Sequence, residues 1–135
     1  MRDVTVGTIQ IGERHPLALI AGPCQLESLD HARAMCAGIL EACEPTGTKL
    51  IFKASYDKAN RSSISTARGL GMEKGLQILA AIREEFGVPV LTDVHEPWHC
   101  AKAAQAVDVL QIPAFLCRQT DLLVAGPGAG GRRRT

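Results

Sequence analysis

The sequence predicts an α/β fold built on a parallel sheet. Three observations predict it. Short apolar runs alternate with amphipathic helical stretches four times along 135 residues. The runs are continuous rather than alternating, and polar residues gather just after each one. Continuous runs read as strands buried on both faces, and a repeated strand–helix order demands parallel pairing through right-handed crossovers.

The elements follow in order. Val4, Val6, Ile9 and Ile11 alternate, with Gly7 and Gly12 as punctuation, so residues 2–14 read as a short β-hairpin. Leu17 to Gly22 is the first buried strand. Between Glu27 and Cys43, Leu29, Ala32, Met35, Cys36, Ile39 and Leu40 recur at helical spacing. Ser28 or Asp30 caps this helix, and Pro45 and Gly47 end it. Lys49 to Phe52 is the second strand, followed by a polar loop from Ser55 to Gly69. Met72 to Phe86 is a helix carrying Leu76, Ile78, Leu79 and Ile82, with Gly87 past its end. Val88 to Leu91 is the third strand, and Pro97 opens a short helix. Val107 to Ile112 is the fourth strand, and Arg118 to Ala125 begins the last helix. From Gly126 to Gly131, four glycines and a proline in six residues are not expected to continue it. A flexible tail would have this composition, and so would GC-rich DNA read out of frame.

Composition bounds the function classes. A chain 46% apolar and 21% charged, with a net charge of +1, is an ordinary globular domain rather than a disordered one. Fifteen basic residues against 14 acidic ones argue against nucleic-acid binding driven by bulk charge, since Arg132, Arg133 and Arg134 alone turn the sign. No apolar run approaches the roughly 18 residues of a membrane span. Met1-Arg2-Asp3-Val4 lacks the layout of a secretory signal. The five cysteines, at 24, 36, 43, 100 and 117, match neither a disulfide framework nor a zinc ribbon. Reduced thiols in a cytoplasmic protein are the expectation, without membrane or nucleic-acid partners.

The strands run into Gly22-Pro23-Cys24, Lys53-Ala54-Ser55, Thr92-Asp93-Val94-His95 and Gln111-Ile112-Pro113-Ala114. All four clusters fall on the carboxyl edge of the sheet, which carries the ligand site in barrels and open α/β sheets alike. Lys53, Lys58, Arg61 and Arg118, with Asn60 and the hydroxyls of Ser62 and Ser63, suit phosphate or carboxylate groups. The residues alone leave an anion site and a solvated loop as alternatives. Cys24 at a strand end is either a soft metal ligand or a small buried hydrophobe.

Two motif matches fail on physical grounds. His95-Glu96-Pro97-Trp98-His99 satisfies H-E-x-x-H, but Pro97 disfavours helix at Glu96 and leaves His95 and Glu96 on the preceding loop. Ser55-Tyr56-Asp57-Lys58 satisfies S-x-x-K without the S-D-N and K-T-G partners that chemistry needs. No P-loop string occurs.

Taken together, Ala21-Gly22-Pro23-Cys24 with Glu27-Ser28, Phe52-Lys53-Ala54-Ser55, Asp57 to Ser63, Thr92 to Pro97, and Gln111 to Phe115 with Thr120-Asp121-Leu122 resemble one family. It is the 3-deoxy-D-manno-octulosonate 8-phosphate synthases. The related aldolase that opens the shikimate pathway carries a different string at the Asp57–Ser63 position. The resemblance runs from about residue 5 to residue 125 and implies a hairpin followed by the first half, about four βα units, of a (β/α)8 TIM barrel. By this measure residues 1–125 are the amino-terminal half of such a barrel. Residues 126–135 are a Gly/Arg-rich tail outside the family pattern, disordered or frameshifted, and the chain reads as truncated.

The resemblance implies condensation of phosphoenolpyruvate with arabinose 5-phosphate. It places Lys53 and Lys58 on the phosphoenolpyruvate carboxylate and phosphate, with Ser55 nearby. Asn60, Arg61 and Ser62 would bind the sugar phosphate, and Asp93 the hydroxyls near its aldehyde. Gln111, Pro113 and Ala114 would line the phosphoenolpyruvate pocket, with Lys58 and Asp93 the residues closest to the chemistry. Phe115 and Arg118 would reach a neighbouring subunit's site in a tetramer. Cys24 implies a divalent metal, whose other ligands come from the second half of the barrel. The alternatives are an inactive half-barrel, or an aldolase of the shikimate type.

Overall fold

A computed structural model describes residues 3–58 and 69–129. It opens with an antiparallel hairpin of β1 (Val4–Val6) and β2 (Ile9–Ile11), turned at Gly7. Then come β3 (Ala18–Ala21), α1 (Leu29–Cys43), β4 (Lys49–Lys53), α2 (Met72–Phe86), β5 (Val90–Asp93), α3 (Pro97–Ala106), β6 (Val109–Gln111) and α4 (Thr120–Ala129). Strands β3, β4, β5 and β6 form one parallel sheet in sequential order. This is the expected α/β architecture, with each helix returning the chain to the next strand.

Local chemistry sets the boundaries. Ser28 is the N-cap of α1, its Oγ accepting from the His31 N–H at 3.0 Å. Gly87 closes α2 in the left-handed region, φ 65°, with its N–H on the Arg83 carbonyl. Pro97 is the first residue of α3, and Glu96 before it is extended, so His95 and Glu96 lie outside the helix.

Alternate strand residues face opposite ways. Leu50, Phe52 and Val90 pack with Ala32 and Cys36 of α1 and Leu79 and Ile82 of α2 in the main core. Ile51 and Leu91 turn to the other face, where Ile9 of the hairpin covers them. Gly22 at the end of β3 lies so close to the Lys53 carbonyl that a side chain there would collide with it. Gly75 does the same for α2 against Tyr56.

Two expectations need correction. The first apolar run is not buried on both faces: Leu19 is 38% and Ile20 54% exposed. The reason is position, because β3 is an edge of the sheet and β4 is its only sheet neighbour among the described residues. The last helix does not stop at Ala125 but continues to Ala129 through Gly126, Pro127 and Gly128. Ala125 and Ala129, one turn apart, both pack on the core, and Gly126 lies near the Ile112 side chain. Tertiary contact here overrides poor propensity. Residues 130–135 lie outside the described residues.

Candidate active site

Each residue that ends a strand delivers its side chain to one edge of the sheet. Lys53 is the last residue of β4 and Asp93 the last of β5, two strands paired side by side. Ser55 follows Lys53 and forms a bridge to Gln25, beside Cys24. Thr92 is fully buried and donates from Oγ1 to the Ala54 carbonyl at 2.8 Å, which ties the two strand ends together.

The polar side chains form one connected line. Lys53 Nζ donates to Ser55 Oγ at 3.2 Å, and Ser55 donates to Asp93 Oδ1 in a short hydrogen bond. Asp93 Oδ2 pairs with His95 Nε2 at 2.9 Å. Burial pulls the Asp93 carboxyl upward, but the bonds from His95 and Ser55 and the Lys53 charge outweigh it. They hold Asp93 below the usual carboxylate range. The other ring nitrogen of His95, Nδ1, is buried and has no hydrogen-bond partner among the described residues.

This line borders a cavity of about 490 Å³. Of the residues expected from sequence, Cys24, Ser55, Lys58, Asp93, Pro113 and Phe115 line it. Lys53 joins through Ser55. Gln111, Ala114 and Arg118 are exposed and stand outside the wall. Asn60, Arg61 and Ser62 lie outside the described residues. The sequence reading missed Asp57, His95 and Leu116 as lining residues. His95 could have been found from the alternation after Asp93, since Val94 is buried on the far side.

Behind the wall, His99 Nδ1 accepts from Tyr56 Oη at 2.9 Å and from the His95 backbone N–H at 3.3 Å. Burial pushes the Tyr56 hydroxyl upward, so it stays protonated and donates. Among the described residues no three His, Cys, Asp or Glu side chains converge to hold a metal ion. Cys24 offers a single exposed thiol, and Asp93 and His95 are engaged with each other. This set does not fit a tightly held metal.

Four sequential parallel strands with a hairpin against one face are the first four βα units of an α/β barrel. The family model described as the DAHP synthetase I family matches residues 2–130, and the chain belongs to that family. Curated relatives named 2-dehydro-3-deoxyphosphooctonate aldolase are similar to it. The protein of Granulibacter bethesdensis is 58% identical over 129 residues, covering 96% of this chain and 46% of the relative. That of Rhodopseudomonas palustris is 54% identical, covering 95% and 45%. That of Brucella ovis is 52% identical, covering 94% and 46%. The chain thus spans less than half the length of these relatives.

Proposed function

We propose that this chain forms the substrate-binding carboxyl edge of a 3-deoxy-D-manno-octulosonate 8-phosphate synthase. The reaction joins carbon 3 of phosphoenolpyruvate to the aldehyde carbon of arabinose 5-phosphate. Water adds at carbon 2, and the carbon–oxygen bond to phosphate breaks to release inorganic phosphate. One observation carries the reading: the line Lys53–Ser55–Asp93–His95 borders the same cavity as Lys58.

The roles are those the family resemblance implies, and the cavity lining supports those of Ser55, Lys58, Asp93, Pro113 and Phe115. Lys53 and Lys58 hold the carboxylate and phosphate of phosphoenolpyruvate, with Ser55 fixing the first ammonium. Pro113 and Phe115 supply apolar wall, and the resemblance adds Gln111 and Ala114 to the phosphoenolpyruvate pocket. Asp93, kept ionised, accepts hydroxyls of the sugar beside its aldehyde, and the unpartnered Nδ1 of His95 is available to bond another. Asn60, Arg61 and Ser62 take the sugar phosphate. Cys24 would be the donor this chain brings to a divalent cation. Phe115 and Arg118 face a neighbouring subunit in a homotetramer of the whole protein.

The test is phosphate release from the two substrates together, with divalent metal and then with chelator. Turnover needing both substrates and abolished by chelator supports the reading in full. A chain that binds phosphoenolpyruvate without turnover supports only the binding edge. Exposed Leu19 and Ile20 on β3 favour one second reading, a half-barrel without activity. A chain that neither binds nor turns over supports that one.

A further inference from the structure

His99 is not part of the cavity wall, yet two of the site's neighbours meet on its ring. It is the third residue of α3, whose N-cap Glu96 makes no side-chain cap bond. The third residue of a helix, usually Glu or Gln, can reach back to a backbone N–H at the helix start. His99 does this with Nδ1, accepting the N–H of His95 at 3.3 Å. A backbone N–H can only donate, so Nδ1 is the bare nitrogen, and the Tyr56 hydroxyl donates to the same atom at 2.9 Å.

Resting on the synthase reading, we propose that neutral His99 is a positioning residue: its Nδ1 fixes the His95 backbone, and thereby the His95–Asp93 pair that receives the sugar. Protonating Nδ1 converts the acceptor to a donor and breaks both bonds at once. The groups facing the ring are those of the 55–58 loop, the 93–96 loop and α3 itself. His95 and Lys102 oppose a charge there, while Glu96 and Asp57 favour it. The helix N-terminus opposes it as well. Burial first, then His95, holds His99 below its ordinary value of 6.5, so the acceptor is intact at neutral pH.

The experiment follows the His95 amide by ¹H–¹⁵N NMR in the full chain from pH 8 to pH 4.5, alongside phosphate release from phosphoenolpyruvate and arabinose 5-phosphate. The expected result is that the His95 amide moves with the protonation of His99, with a midpoint below 6.5. Turnover falls along the same curve. His99→Gln supplies an acceptor that does not titrate, so the amide stays in its bonded position. The acid fall in turnover attached to His99 disappears. His99→Ala frees the amide at every pH and lowers kcat/KM on the order of 10- to 100-fold, the usual cost of a displaced reacting group. A His95 amide that ignores the titration of His99, or that stays put in His99→Ala, overturns the proposal. Failure of the unsubstituted chain to bind phosphoenolpyruvate or to turn over overturns the synthase reading instead, and the amide titration then decides the role of His99 alone.

Discussion

At the scale of the residue, Asp93 shows how a buried carboxylate is kept ionised. Its two oxygens are each given a donor, Ser55 on one side and His95 on the other, with the Lys53 ammonium one hydrogen bond further away. Because its folded value is depressed, the stabilisation from this charge is present above the unfolded value of 3.8 and is lost as the pH falls through the folded one. Asp93→Asn is therefore expected to melt below the unsubstituted chain at pH 7, with the gap closing in acid. Thermal unfolding at stepped pH checks it. Lys53→Met removes the charge that the proposed phosphoenolpyruvate carboxylate meets. A charged hydrogen bond is worth about 1.5–3 kcal/mol, so calorimetric titration should show roughly 10- to 100-fold weaker binding of phosphoenolpyruvate.

At the scale of the element, caps and edges decide what the sequence made legible. Ser28 and Gly87 could be read as helix ends because each solves a local problem, an orphan N–H or a left-handed turn, that needs no tertiary partner. Ser28→Ala should cost about 1 kcal/mol, seen as a lower urea midpoint with an unchanged slope. The gathering of Cys24, Ser55 and Asp93 on one edge was legible for a similar reason, since parallel strands must point the same way. The helix through Pro127 was not legible, because the packing of Ala125 and Ala129 that holds it is fixed by chain far away in sequence. Nor was the role of His99, which the sequence reading met only inside the failed H-E-x-x-H match. Only the approach of Tyr56, 43 residues earlier, gives the ring its second partner. Burial of Leu17 to Gly22 was inferred from composition, and composition does not say whether a strand is central or at an edge.

At the scale of the whole molecule, the sheet among the described residues ends at β3 and β6, and the β3 edge displays Leu19 and Ile20. Unpaired parallel edges with apolar side chains invite association with other chains. Ile20→Lys, at a position already 54% exposed, should lower self-association in light scattering while leaving the unfolding midpoint nearly unchanged. Helix α3 lies against both α2 and α4, so the layer outside the sheet is continuous even where the sheet stops. The hairpin carries one more consequence, concerning time rather than space. Ile9 rests on Ile51 and Leu91, residues of the second and third parallel strands. The hairpin's seat is therefore complete only when Leu91, more than 80 residues after Ile9, has been made. In pulsed hydrogen exchange during refolding, the amides of β1 and β2 should gain protection after those of β4 and β5, and Ile9→Ala should speed their release without slowing formation of the sheet.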